Sequence, residues 1–293
     1  MAVAEETMIM RGSREIAFPK DGFIWDYCQR AGISYRSYGE FVNYGKTGVK
    51  SLEGHSNPNF PTFDLDVPDL KRFELWRADF DSLMALDALP RLTIMHLPND
   101  HTAGAKLGMP TPRAMVAEHD LAFGKLIEHI SKSKIWHETA IFVLEDDAQS
   151  GPDHVDAHRS IAFVVSPYAK RKTVVSRAYS TSAMLRTIEL ILGLPPMSQY
   201  DAAAIPMWEC FTNKSNIKSF VTLPAQYNLK ELNKAKTSIA IQSARFNFAT
   251  ADAAPDLEFN QVIWKAVKGM DSEMPAPMRS AFVKISEEEE EED

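Results

Sequence analysis

The sequence has only two cysteines, Cys28 and Cys210, and they lie far apart in the chain. No second cysteine falls within metal-ligand spacing of either one, which excludes a zinc ribbon and a disulfide framework. The sequence leaves open a single disulfide between the two cysteines. No run of 18 apolar residues occurs, which excludes a spanning helix. The N-terminus carries Glu5 and Glu6 and no apolar stretch typical of a secretory signal, so the sequence leaves the localisation unassigned.

An excess of basic residues is also missing. The formal charge is -8, and seven of the 40 acidic residues form the run Glu287 to Asp293, so the remainder carries -8 + 7 = -1. A nearly neutral body does not favour nucleic acid as a bulk partner. Neither G-x-S-x-G nor G-x-x-x-x-G-K-[ST] occurs, so the sequence supports neither a nucleophile elbow nor a phosphate-binding P-loop.

What is present is an ordinary globular composition over 293 residues, 45% of them hydrophobic. We expect one large domain over residues 22–272, preceded by an N-terminal remnant over 1–21. A tail over 273–293 ends in the acidic run, which should stay disordered through self-repulsion.

Three nearly continuous apolar segments predict buried strands: Leu92 to Leu97, Thr139 to Glu145 and Ser160 to Ser166. A short helix from about Phe23 and a strand through Tyr35 and Tyr38 come before them. The periodicity predicts further helices over Pro112 to Ser131, from Ser180 or Thr181 to Gly193, near Leu229 to Ala244 and around Leu257 to Val267. Alternating strands and helices favour an α/β fold with a largely parallel central sheet and helices on both faces.

Acidic and imidazole side chains cluster at the carboxyl ends of these predicted strands. The first of the three runs into Pro98-Asn99-Asp100-His101-Thr102, and the second runs into Glu145-Asp146-Asp147, after which come His154 and His158. Closely packed carboxylates repel one another and require a compensating cation. In a parallel sheet ligands gather at this edge, which predicts a divalent metal site.

Each part of the pattern has a simpler interpretation as well. Asp100 could be a turn residue, and the three consecutive acids could form a solvated loop. The spacing of His154 and His158 suits a metal on a helix, but the preceding Gly-Pro disfavours one. The other histidines have no comparable acidic residues near them in the sequence and are interpreted as surface or core residues.

Four stretches together resemble the alkaline phosphatase superfamily, and within it the bacterial phosphoesterase family of acid phosphatases and phospholipase C enzymes. They are GFIWDYCQRAGISYRSYGEF, LPNDHTAGAKLGMPTPRAMVAEHDLAFGKLIEHI, TAIFVLEDDAQSGPDHVDAHRSIAFVVSPYAKR and TSAMLRTIELILGLPPMSQYDAAAIPM. The resemblance implies an alkaline phosphatase-like α/β fold and two metal ions that clamp a phosphate ester, with Zn, Mn, Mg or Ca as candidates.

Carried over by this resemblance, Asp100 and His101 are ligands of one metal, and His158 completes that site. Asp146 and Asp147 form the acidic pair of the other metal, and His154 is an additional ligand. Asn99 and Thr102, which flank the first pair, are expected to contact the substrate.

The resemblance begins downstream of the strand and helix that would carry the family's nucleophile, so the domain is expected to be N-terminally truncated, with its catalytic nucleophile unassigned. The expected function is metal-dependent hydrolysis of phosphate esters. The alternative is an inactive metal-binding remnant, or a subunit that lacks the nucleophile. A metal-free scaffold whose acidic residues are merely solvated is a third possibility.

Overall fold

The computed structural model describes residues 18–146, 159–234, 237–247, 253–276, 278–280 and 283–284. Helices and strands both occur, which is compatible with the expected α/β class. The chain divides into two units. The larger comprises the residues up to Gly104, Pro110–Ala140 and Ser166–Glu231, and the smaller comprises Ala105–Met109, Ile141–Val165 and the residues from Leu232. The single-domain bounds 22–272 stay a prediction.

The larger unit contains five helices and two strands among its described residues. They are α1 (Ile24–Arg30), β1 (Tyr35–Tyr38), α2 (Asp69–Ala85), β2 (Leu92–Met95), α3 (Pro112–Ser131), α4 (Thr181–Leu192) and α5 (Gln199–Ala203). The described part of the smaller unit contains β3 (Ile141–Leu144), β4 (Ala162–Val165), α6 (Ser238–Ser243), α7 (Asp256–Lys268), β5 (Met278–Ser280) and β6 (Val283–Lys284).

Strands β1 and β2 pair in parallel, in the register Tyr35 with Leu92 and Tyr38 with Met95. The pairing is extended by a hydrogen bond from the backbone N–H of His96 to the carbonyl oxygen of Tyr38, 2.9 Å long. The chain returns between them through α2, the crossover that parallel strands need. The core beside β1 contains buried apolar residues of α1, of both strands and of the loops around them, among them Trp25, Cys28 and Leu92.

Two of the predicted helices have the predicted ends. Helix α3 begins at Pro112, and the Thr111 side chain caps it by accepting from the backbone N–H of Ala114. Ser180 caps α4 in the same way, and this helix ends where Gly193 takes a left-handed backbone with φ of +73°. Both helices are therefore delimited by residues that the sequence analysis named.

Helix α2 was not predicted, although it holds a central place in the larger unit. Its buried aromatic side chains Phe73, Trp76 and Phe80 follow the spacing i, i+3, i+7 of one helix face. All three rings meet His129 of α3 edge-on, with ring centroids 5.5 to 6.5 Å apart. This contact packs α2 against α3.

Strands β3 and β4 pair antiparallel, so the expected parallel direction is wrong for this pair. Ile141 lies opposite Val165, and Leu144 lies opposite Ala162. The pairing continues from the backbone N–H of Glu145 to the carbonyl oxygen of Ile161, 3.1 Å apart. An apolar strand does not encode its direction, and the antiparallel return brings the end of β3 beside the start of β4. The large central parallel sheet is not present among the described residues, where only β1 and β2 pair in parallel.

The C-terminal helices and the cysteines also differ in part from what the sequence predicts. The helix expected near Leu229 to Ala244 is limited to α6, because Asn233 instead pairs its backbone N–H and carbonyl with Met109 and Gly108. Helix α7 confirms the helix expected around Leu257 to Val267. Both cysteines are free thiols, so the disulfide that the sequence left open is not formed. Among the described helices, none has the length and apolarity needed to cross a membrane.

Candidate functional site

The segment after β2 forms the predicted site's first half. Pro98 ends the strand segment, and Asn99–His101 forms a single 3₁₀ turn that Thr102 caps. Asn99 is buried, Asp100 is partly exposed and His101 is exposed, so the turn offers its second and third side chains to solvent. The turn thus places both predicted ligands after the carboxyl end of a parallel strand, where the sequence predicts them.

The turn is held in place by the buried carboxylate of Asp69, the first residue of α2. Its Oδ2 accepts the backbone N–H of Asn99 at 3.0 Å and a ring N–H of His119 at 2.9 Å. Its Oδ1 accepts from Arg72 at 3.1 Å, and both side chains of this ion pair are 0% exposed. A buried carboxylate with three donors is fully compensated, so Asp69 joins α2, the turn and α3 at one point.

Glu118 of α3 also holds the turn in place. Its carboxylate accepts the backbone N–H groups of Asp69 and Leu70, 3.0 and 2.5 Å away, and the side-chain amide of Asn99 at 3.3 Å. Burial raises the pKa of Glu118, while the backbone donors favour its ionised form. Asn99 is therefore held through both its backbone and its side chain, which fixes the turn on which Asp100 sits.

Arg72 anchors a loop to the same cluster. One of its terminal nitrogens donates to the carbonyl oxygens of Thr62 and Asp64, 2.8 and 2.9 Å away. Burial lowers the pKa of Arg72, and the charge of Asp69 opposes that effect. The anchored loop carries Phe63, whose ring meets the imidazole of His101 edge-on at 5.2 Å.

His119 lies between two acids. The sequence predicts a surface or core histidine here, with no comparable acidic residues near it. Its Nδ1 lies 2.9 Å from Asp69 and 3.8 Å from Asp100. Burial works to lower the pKa of His119, but the hydrogen bond to Asp69 and the charge of Asp100 outweigh it, so the pKa is raised. The charged imidazolium is therefore favoured at this position.

The imidazole of His101 has a defined tautomer. Its Nδ1 lies 3.1 Å from the carbonyl oxygen of Thr102, and a carbonyl oxygen can only accept, so Nδ1 carries the proton. In the neutral ring the lone pair is then on Nε2. Metal-binding histidines commonly donate their second nitrogen to a backbone carbonyl in this way. The contact leaves Nε2 as the ring nitrogen with an available lone pair.

Thr102 has an unusual backbone for a β-branched residue. Its φ is 59° and its ψ is 164°, a region that is otherwise almost limited to glycine. Its hydroxyl oxygen accepts the backbone N–H of Gly104 at 3.2 Å. Strain of this kind persists only where the surroundings impose it, and it often marks functional positions.

The second half of the predicted site follows β3. Asp146 is exposed and comes two residues after the strand ends. Asp147, His154 and His158 lie outside the described residues, so their roles as ligands stay predictions. The hydroxyl of Ser160 donates to the carbonyl oxygen of Glu145 at 2.7 Å, so the chain segments that flank 147–158 are bonded to each other.

The metal centre itself also stays a prediction. Within the described ranges, no three His, Cys, Asp or Glu side chains are grouped closely enough to hold a metal ion. Three of the six predicted ligands lie outside those ranges. The residues that the sequence reasoning missed are Asp69, Arg72, Glu118 and His119. Glu118 and His119 meet Asp69 across 49 and 50 residues of chain, so no local pattern pointed to the network.

A sequence model of the Phosphoesterase family matches residues 20–195. The match covers more than half of the chain, so the chain belongs to the Phosphoesterase family. It includes β1, β2, the Asn99–His101 turn and the network beneath it. Family membership supports a hydrolase that acts on phosphate esters. No curated protein matches the chain significantly.

Proposed function

We propose that the protein is a metal-dependent hydrolase of phosphate esters of the alkaline phosphatase type. The observation that carries the proposal is the pair of accessible ligands Asp100 and His101 on one rigid turn, within the segment that matches the Phosphoesterase family. In this proposal β1 and β2 belong to the parallel sheet of that fold type. Asp146, Asp147, His154 and His158 are the proposed remaining ligands.

The residues of the turn suit a divalent cation. Asp100 offers a carboxylate that is 34% exposed, and His101 offers Nε2 because its other ring nitrogen donates to a carbonyl oxygen. Carboxylate oxygen and imidazole nitrogen are ligands of Zn and Mn, and further carboxylates would extend the choice to Mg or Ca. The support for two ions is the family resemblance of the acidic pair after β3.

A bound divalent cation would supply Lewis-acid stabilisation of the charge on a phosphoryl oxygen. The chain's own residues would hold and orient the ester. The hydroxyl of Thr102 stands next to the ligand pair and is proposed to contact the phosphate. Asn99 was also expected to contact the substrate, but its side chain is buried and its amide donates to Glu118, so we propose that it holds the turn instead. Phe63 limits the space beside the His101 ring.

The test is hydrolysis of p-nitrophenyl phosphate and of bis(p-nitrophenyl) phosphate by protein that has been dialysed against EDTA. Addition of Mn²⁺ or Zn²⁺ should restore the activity, and replacement of Asp146 or Asp147 by Asn should lower it by at least about 100-fold. Asp87→Asn is the matched control, because that carboxylate is 94% exposed beside Lys134 on the surface.

Activity that is independent of metal, or unchanged in the Asp146 and Asp147 variants, would contradict the enzyme proposal. Metal binding without hydrolysis of either ester would favour the alternative of an inactive metal-binding protein. The ratio of the two hydrolysis rates then indicates whether monoesters or diesters are preferred.

A further inference from the structure

Helix α3 carries two histidines that each contact an aspartate of α2, and the two pairs differ in their surroundings. His119 Nδ1 lies 2.9 Å from Asp69, whose side chain is 0% exposed. His129 Nε2 lies 2.7 Å from Asp81, whose side chain is 55% exposed. A charge-assisted hydrogen bond is strengthened by burial and weakened by solvent, so only the first pair holds its geometry firmly.

The contact with Asp69 continues to the neighbouring carboxylate of Asp100. His119 Nδ1 lies 2.9 Å from Asp69 Oδ2 and 3.8 Å from Asp100 Oδ1, so one ring nitrogen stands between the two carboxylates. Asp69 also accepts from Arg72, and both side chains of that ion pair are fully buried. The Asp100 side chain is 34% exposed, so its carboxylate contacts His119 on the protein side and solvent on the other.

The backbone of Asp100 is fixed by the same groups. Asn99, which precedes it, donates its backbone N–H to Asp69 and its side-chain amide to Glu118. The residue that follows, His101, is oriented by the carbonyl of Thr102. The remaining freedom of Asp100 is in its own side chain, whose carboxylate lies 3.8 Å from His119 Nδ1.

We propose that His119 and Asp69 are positioning residues that hold the Asp100 carboxylate in the orientation in which it binds the divalent cation. The inference rests on the proposed metal-dependent function and names residues that the sequence pattern does not include. His119 does not bind the metal in this arrangement; it acts through Asp100, as outer-shell partners of metal ligands do.

The test is the dissociation constant for Mn²⁺, measured by titration calorimetry on the full chain after dialysis against EDTA. His119→Ala should weaken Mn²⁺ binding on the order of 10-fold, the lower end of what outer-shell partners contribute. His119→Asn keeps an N–H donor for Asp69 and should lose less. His129→Ala is the matched control and should leave the dissociation constant within about twofold of wild type. Thermal unfolding without metal reports the folding of every variant.

A purely structural role for His119 makes a different prediction. His119→Ala would then lower the unfolding temperature without metal and leave the Mn²⁺ dissociation constant unchanged, which would overturn the proposal. If wild type and Asp100→Ala bind Mn²⁺ equally weakly, the proposed metal-dependent function fails and this inference fails with it. If Asp100→Ala loses Mn²⁺ binding but His119→Ala does not, only the positioning role is refuted.

Discussion

Thr102 offers a test in which the usual ranking of two substitutions is reversed. At an ordinary loop position, alanine is more stabilising than glycine by about 0.4 to 1 kcal/mol, because glycine has more conformational freedom in the unfolded chain. Thr102 has φ of 59° and ψ of 164°, which an alanine disfavours as much as a threonine does. We therefore expect Thr102→Gly to be more stable than Thr102→Ala.

The magnitude follows from two opposing effects. The strained backbone costs a non-glycine residue about 1 to 3 kcal/mol. The additional entropy of the glycine variant in the unfolded chain offsets about 0.4 to 1 kcal/mol of the gain. Both variants lose the hydroxyl that accepts from Gly104, so that loss cancels in the comparison. With the mid-range values of about 2 and about 0.7 kcal/mol, the difference that remains is about 1.3 kcal/mol in favour of glycine.

Urea unfolding of both variants, monitored by tryptophan fluorescence, measures this difference from the midpoints and slopes. Thr139 is a matched control, because it also follows a 3₁₀ turn but has an ordinary extended backbone with φ of -103° and ψ of 136°. At Thr139 the alanine variant should be the more stable one. An alanine variant at residue 102 that is as stable as the glycine variant, or more so, refutes the assignment of strain to Thr102.

Two further predictions concern the larger unit. Burial raises the pKa of Glu189 to about 7, so the folded protein holds this proton more tightly than the unfolded chain, where the carboxyl titrates near 4.5. The free energy of unfolding should therefore fall by at most about 3 kcal/mol as the pH rises from 4.5 to 7 and beyond. Glu189→Gln should flatten this part of the pH profile of that free energy, measured by urea unfolding. A variant with the wild-type profile would contradict the prediction. Gly39→Ala should destabilise the protein by about 2 kcal/mol or more, since Gly39 has φ of +85° and an added Cβ would lie 2.9 Å from the Pro61 carbonyl oxygen. Thermal unfolding measures this loss. A variant with wild-type stability would show that the loop adjusts without cost.

The elements with strong local signals could be predicted from the sequence. Helix α3 has a proline in its first turn and an apolar stripe, and these signals predicted a helix with the bounds that the structure has. Strand directions could not be predicted in the same way. The pairing of β3 with β4 depends on how the intervening chain returns, and an apolar run is the same for either direction.

The position of Asp100 and His101 in a loop after a strand could be predicted from the sequence. The buried network of helix residues that holds this loop could not. Asp100 and His101 stand out because they follow a strand directly. In the sequence, Asp69 and Glu118 are typical of solvated residues on helix surfaces. Their burial becomes evident only once α2 and α3 pack together and Arg72 bonds to the neighbouring loop. Tertiary contacts of this kind leave no local pattern, which is why His119 was also missed.

The hydrogen bond between Glu145 and Ile161 closes the base of the segment that carries Asp147, His154 and His158. Because the sheet already holds both ends together, a change in the number of residues within that segment alters its closure entropy only logarithmically. Evolution or design could therefore lengthen or shorten this segment, and so exchange the chemical groups that it offers, at little expense to the stability of the sheet beneath it.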